Sequence, residues 1–82
     1  MNADLAPLVE HVIRLVVSDP DAVSVRESRD RAATIFTVNV APNDVGRVIG
    51  KDGRVISSIR QLVSAAGAKA RIKTVVKVPT EN

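Results

Sequence analysis

Nine residues, Val48-Ile49-Gly50-Lys51-Asp52-Gly53-Arg54-Val55-Ile56, constrain this chain more than any other stretch. Two glycines bracket two polar residues, and apolar stripes of helical spacing lead up to them and away from them. Upstream, Pro42 suits a helix start, and Val45, Val48 and Ile49 predict a helix of about two turns that Gly50 ends. Downstream, Val55, Ile56, Ile59, Leu62, Val63 and Ala66 predict a helix over 54–66 with Gly67 as its C-cap. One helix must therefore hand over to the next across Gly50–Gly53, so whatever else the chain forms has to pack around a tight helical corner.

Outside that corner the periodicities change. Leu5, Leu8, Val9, Val12, Ile13 and Val16 recur every three or four residues and predict an amphipathic helix over 5–17, with Asp4 as N-cap and Pro7 inside the tolerant first turn. Ser18-Asp19-Pro20-Asp21 ends it, because proline disfavours helical geometry in the preceding residue. Val23, Val25 and Glu27 alternate with Ser24, Arg26 and Ser28, and after a polar stretch from Arg29 to Arg31 the alternation resumes with Phe36, Val38 and Val40 on one face. Two antiparallel strands within 22–40 are the economical reading. The last segment sets Ala70, Ile72, Thr74, Val76 and Val78 on one face against Lys69, Arg71, Lys73, Val75 and Lys77 on the other, a half-buried strand with a basic outer face. Pro79–Asn82 is too polar to pack and is expected to be a frayed tail. The expected architecture is α+β, in the order α-β-β-α-α-β, with a three-stranded sheet covered by helices on one face. One domain spans 1–82, with its core at about 5–78.

Composition excludes several functions. The 82 residues leave little room for a second core or an enclosed catalytic cavity. Cysteine is absent, which removes disulfides, thiolate zinc sites and thiol nucleophiles together and fits a reducing compartment, with cytoplasm as the default. The longest apolar run is too short to span a bilayer, and Asp4 and Glu10 do not suit a signal peptide. His11 is the sole histidine and cannot anchor a zinc site or a Ser-His-Asp arrangement alone; a structural or solvent role is the better reading. Gly46-Arg47-Val48-Ile49-Gly50-Lys51 has the wrong spacing for a Walker A loop and Asp52 where Ser or Thr would bind magnesium. Asp19 and Asp21 flank Pro20 and Asp44 follows Pro42 by two residues, positions where short acidic side chains cap helices or close turns. Phe36 is the only aromatic residue, so a stacking platform for bases is excluded. Twelve Lys and Arg against nine Asp and Glu give a net charge of +3, with the basic excess in the C-terminal half.

The central segment resembles the signature of the KH family, VIGxxGxxI, and every fixed position is met by Val48, Ile49, Gly50, Gly53 and Ile56. The element order resembles the type II KH arrangement across residues 5–78, and a chain of this size is similar to the small stand-alone bacterial KhpA family. The resemblance implies a cytoplasmic binder of single-stranded RNA, acting as an RNA chaperone or post-transcriptional regulator, that forms a homodimer or pairs with a larger KH protein resembling KhpB. It implies no enzymatic activity, cofactor, metal, small-molecule substrate or membrane. Asp52 departs from the family habit of a basic or small residue at that position.

The residues support a binding site without the name. Glycines at 50 and 53 let a phosphodiester approach the backbone, and the first amides and dipole of the helix starting near Arg54 favour an anion. Arg47, Lys51 and Arg54 add positive charge, with Asp52 among them. In the KH mode such a loop clamps about four nucleotides of backbone while an adjacent groove accepts the bases. Val48, Ile49 and Ile56 are expected to line that groove, with Arg71 and Lys73 at its rim. Two competing readings are a protein-interaction module built on the same scaffold, in which Asp52 opposes RNA contact, and a DNA-binding helix-turn-helix; the stripe Ile59, Leu62 and Val63 reads as core before interface, and self-association through an exposed part of it is a secondary expectation.

Overall fold

A computed structural model describes residues 4–78. The elements follow the expected order: α1 (Ala6–Val16), β1 (Ser24–Arg29), β2 (Thr34–Asn39), α2 (Val45–Ile49), α3 (Arg54–Lys69) and β3 (Thr74–Lys77). Short 3-10 turns at Pro20–Ala22, Pro42–Asp44 and Lys51–Gly53 join them. The tail expected at 79–82 lies outside the described residues.

The sheet order is β1-β2-β3, with β1 antiparallel and β3 parallel to the central strand. Register places Val25 opposite Val38, Glu27 opposite Phe36, and Phe36 opposite Val76, so one face of the sheet is apolar at its centre. The helices cover that face. Phe36, Val38 and Val76 pack with Val9 and Ile13 of α1, Val48 of α2, and Ile56, Ile59 and Val63 of α3 in a single core. Burying each such side chain favours folding by about 1.5–3 kcal/mol, and this packing, rather than helix propensity, holds a helix as short as α2 in place.

Local chemistry explains the connections. Asp4 accepts the Ala6 amide at 3.2 Å, while the cap position itself is Leu5. The β1–β2 turn closes through Asp30, whose Oδ1 accepts the amides of Ala32 at 2.7 Å and Ala33 at 2.8 Å.

Two expectations at the C-terminal end are corrected. Gly67 does not cap α3; it lies inside the helix, which runs on to Lys69. A Cβ there would stand 2.6 Å from Thr74 Cγ2 and 2.7 Å from the Ile72 carbonyl, so Gly67 is the point where the returning chain crosses closest to the helix. The left-handed residue of this turn is Arg71, at φ 61°. The strand is correspondingly shorter than its alternation implied: Lys69 ends α3 and Arg71 lies in the turn, which leaves Val75 and Lys77 as the members of the expected basic face within β3.

Candidate functional site

The corner between α2 and α3 is built by two glycines with different tasks. Gly50 closes α2, donating its amide to the Gly46 carbonyl at 2.8 Å, and adopts φ 76° and ψ 171°, a region open essentially to glycine alone. A Cβ on it would lie 2.3 Å from Val55 Cγ2 and 2.8 Å from the Val55 amide nitrogen. Gly53 has φ 74° and ψ 15°, and a Cβ there would meet nothing within 4 Å. Asp52, between Lys51 and Gly53, is also left-handed at φ 56°. Asp is among the few side-chain-bearing residues that tolerate this conformation, which gives the acidic residue a conformational reason to be there.

Lys51, Asp52 and Arg54 are exposed around the turn. The N-terminus of α3 has no side-chain cap and no acidic residue in its first turn, although the Arg54 amide donates to the Lys51 carbonyl. The helix dipole and the remaining first-turn amides thus stand beside two exposed cations.

Arg47 belongs to a different arrangement. Its Nε lies 3.2 Å from Oδ1 of Asp44, a carboxylate with no exposed surface. The same Oδ1 accepts the Ser18 amide at 2.9 Å and the Ser18 hydroxyl at 2.8 Å, while Oδ2 accepts the Asp19 amide at 3.1 Å. Asp44 therefore does not cap α2; it reaches back to cap the turn after α1 and ties α1 to α2. The Ser18 amide, aided by its hydroxyl, the Asp19 amide and Arg47, holds the Asp44 carboxyl below its ordinary range against the opposing effect of burial.

The expected apolar lining is corrected. Val48 is fully buried and Ile56 is 5% exposed, so both serve the core; Ile49 is half-buried against it. The open space lies instead on the other side of α3. A cleft of about 690 Å³ runs between α3 and β3, lined by Ser57, Arg60, Gln61, Ser64, Ala65 and Ala68 on the helix and Thr74, Val75 and Val76 on the strand. It begins at Ser57, one turn beyond the glycine corner, and follows the helix. Arg71 and Lys73 follow Lys69 at the opposite end of α3, a helix about 24 Å long, so they stand at the cleft's far end and not beside the loop. The signal missed in the sequence was the small and polar set Ser57, Gln61, Ser64, Ala65 and Ala68, which looks like an ordinary solvated helix face until β3 is laid beside it.

Comparison with known proteins agrees with this architecture. The family model described as "KhpA/KhpB, KH domain" matches residues 6–78. The chain belongs to the KhpA/KhpB KH-domain family. Among its relatives is the "RNA-binding protein KhpA" of Caldanaerobacter subterraneus subsp. tengcongensis, 39% identical over 74 residues, which covers 90% of this chain and 99% of the relative. The protein of the same name from Clostridium acetobutylicum is 38% identical, covering 87% of this chain and 95% of the relative. That of Mycobacterium tuberculosis is also 38% identical, over 84% of this chain and 86% of the relative. No solved structure matches significantly. The KH signature falls on the glycine corner, and the span that the family model matches takes in all six elements.

Proposed function

We propose that this KH domain binds single-stranded RNA, holding phosphates at Gly50–Gly53 and bases in the cleft between α3 and β3. The observation that carries the reading is the continuity of the two: the uncapped N-terminus of α3, with exposed Lys51 and Arg54, opens within one turn onto the cleft. Phosphate oxygens suit the first, and flat bases suit a cleft walled by small side chains and a strand edge. The relatives named as RNA-binding proteins support the same reading. Arg47 is held to Asp44 through Nε alone, and its exposed Nη groups would add a phosphate contact with that pair intact. Arg71 and Lys73 would meet the strand where it leaves the cleft. The biological role proposed with it is that of a cytoplasmic RNA chaperone or post-transcriptional regulator that binds without catalysis.

The test is fluorescence-anisotropy titration of labelled single-stranded RNA and duplex DNA with the protein and its Gly53→Asp variant. Gly53 is the glycine to change, because there is room for a side chain and Asp tolerates the left-handed conformation; changing Gly50 would disturb the fold. Loss of RNA binding by a folded Gly53→Asp protein is expected. With two phosphates neutralised by Lys51 and Arg54, log affinity should fall with log salt at a slope of about −1.4. Equal binding by the two proteins, or a preference for duplex DNA, would remove the reading.

A second reading is favoured by two side chains. Leu15 is 71% exposed and Leu62 is 48% exposed, large apolar groups that an interface would cover. Association with a second copy, or with a larger KH protein resembling KhpB, is therefore proposed as a companion activity. Sedimentation of Leu62→Lys beside the parent chain tests the self-association, which fails if the parent is monomeric at every concentration.

A further inference from the structure

The sheet has two faces, and the helices cover only one. Glu27, Phe36 and Val76 form a row across the covered face. Alternation turns their neighbours outward, so that Arg26, Thr37 and Lys77 form one row across the three strands of the opposite face, and Ser28, Ile35 and Val75 a second. Lys73 carries the alternation one step before β3, where its carbonyl accepts the Thr34 amide at 2.8 Å. Neither row holds an acidic residue. Glu27, the carboxylate of β1, lies on the covered side of the strand and pairs there with Arg29 at 3.0 Å. Asp30, in the turn that follows, is lowered first by the Ala33 and Ala32 amides and only lastly by Lys77, with which it forms no salt bridge.

The cations of this face are unengaged, which most arginines of the molecule are not. Arg14 is bonded to Glu10, Arg29 to Glu27 and Arg47 to Asp44, and Arg60 donates from Nε and Nη2 to the Val76 carbonyl, each at 3.2 Å. Arg26, Lys73 and Lys77 are exposed and make no salt bridge among the described residues, like Lys51 and Arg54 at the glycine corner. Strand spacing sets Arg26 about 10 Å from Lys77, and the rise along β3 sets Lys73 about 13 Å from it. An acidic protein or a membrane would be drawn by the same charge, but both need apolar anchors. Ile35 and Val75 are half-buried, and the exposed large apolar groups, Leu15 and Leu62, lie outside the sheet. Cations and hydroxyls without anchors suit a phosphodiester backbone.

Resting on the RNA-binding reading above, we propose that the outer face of the sheet is a second contact surface for the same RNA, where Arg26 and Lys77 hold phosphates after the strand has left the cleft and crossed the edge of β3. The route is short because β3 is an edge strand: one side closes the cleft, and its outward residues belong to the sheet face. Arg71 and Lys73, at the far end of the cleft, stand where the RNA turns over that edge. Thr37, between the two cations, adds a hydroxyl donor. The contact reads no bases, since Phe36 is the only aromatic residue and is buried on the covered face. Such a surface lengthens the RNA that is held without narrowing its sequence.

Length is therefore the variable that isolates it. A KH loop clamps about four nucleotides, so an oligouridine of five occupies the corner and the cleft, while one of fifteen also reaches the outer face. The double variant Arg26→Gln, Lys77→Gln, checked by circular dichroism and thermal melting, is expected to bind the pentamer as the parent does. Its affinity for the fifteen-mer should fall about tenfold, with a salt slope shallower by about 1.4 for the two phosphates released. At physiological salt exposed charges act over about 8 Å, so the lost charge does not itself reach the corner. Arg26→Lys, Lys77→Arg keeps both charges and should keep the parent's affinity for the fifteen-mer. An unchanged fifteen-mer affinity in the glutamine variant, or an equal loss for both lengths, would overturn the proposal. So would a fifteen-residue oligoglutamate bound by the parent as tightly as the RNA and released by the same substitutions, which would assign the face to an acidic protein. If Gly53→Asp abolishes pentamer binding while the glutamine variant matches the parent at both lengths, the RNA-binding reading stands and the second surface falls. If neither oligouridine binds the parent protein, both fall.

Discussion

Two polar regions lie within a few residues of each other and are finished in opposite ways. At the α1–α2 junction the Asp44 carboxylate is wholly enclosed and takes contacts from Ser18, Asp19 and Arg47 on its two oxygens. At the corner that follows, α3 starts with no side-chain cap, Asp52 and Gly53 are left-handed in succession, and neither Lys51 nor Arg54 makes a salt bridge among the described residues. The contrast teaches how so small a domain keeps a site open: polar groups needed for cohesion are answered internally, and those available to a ligand sit on a turn whose shape is held from behind by packing.

The comparison can be broken most forcefully at Gly50. Gly50→Ala drives a Cβ into Val55 and demands a glycine-only conformation, so a loss of about 3 kcal/mol or more is expected in urea unfolding. Gly53→Ala, with open space around it, should cost about 1 kcal/mol for its left-handed conformation alone. Equal costs would mean that the corner is not held by the Gly50–Val55 contact.

Asp44→Asn comes next. One of its two acceptor oxygens becomes a donor facing donors, and a fall in melting temperature on the order of 10 °C is expected at neutral pH. The pH dependence carries the sharper signature. A carboxyl held below its unfolded value stabilises the fold fully above that value, and the contribution disappears as pH falls through it toward the lower folded one. Melting followed from neutral pH down through the carboxylate range should therefore show a steep acid limb for the parent chain and a shallower one for Asp44→Asn. Asp30, lowered by the Ala33 and Ala32 amides, gives the same sign and leaves a residual slope in the variant. Parallel acid limbs would show that Asp44 is not the group responsible.

At the far end of the cleft, Gly67→Ala should cost about 1–3 kcal/mol in the same unfolding measurement, because its Cβ meets the Ile72 carbonyl and Thr74. No change would mean that the turn after α3 can move aside. The smallest effect is expected at Asp52→Asn, which keeps a residue tolerant of the left-handed conformation and removes a negative charge beside Lys51. RNA affinity should rise about two- to fivefold with stability nearly unchanged, and a fall in affinity would give the carboxylate a direct part in binding.

Much of this molecule was legible in its local patterns. The stripes of α1 and α3 and the alternation of β1 and β2 each depend on neighbours a few residues away, and each element formed where its period implied. The corner was equally local, since two glycines around Lys51-Asp52 between two stripes admit few geometries. Gly67 was misread for an instructive reason: glycine after an apolar stripe is the usual end of a helix, and only the return of Ile72 and Thr74 across α3 shows that closeness of approach decided it. Val48 and Ile56 were placed on a groove because they flank the loop, yet the helix turns them inward to Phe36 and the rest of the core.

What the sequence by itself determined, then, was the order of elements, the corner and the family signature, because backbone preference and side-chain period act over one or two turns. Only the tertiary structure decided that Asp44 serves a turn 26 residues earlier, that Arg47 is paired and not free, and that α3 and β3 enclose a cleft with Arg60 across its strand edge. Those outcomes depend on which distant surfaces are brought together, and a polar side chain has no partner until folding supplies one.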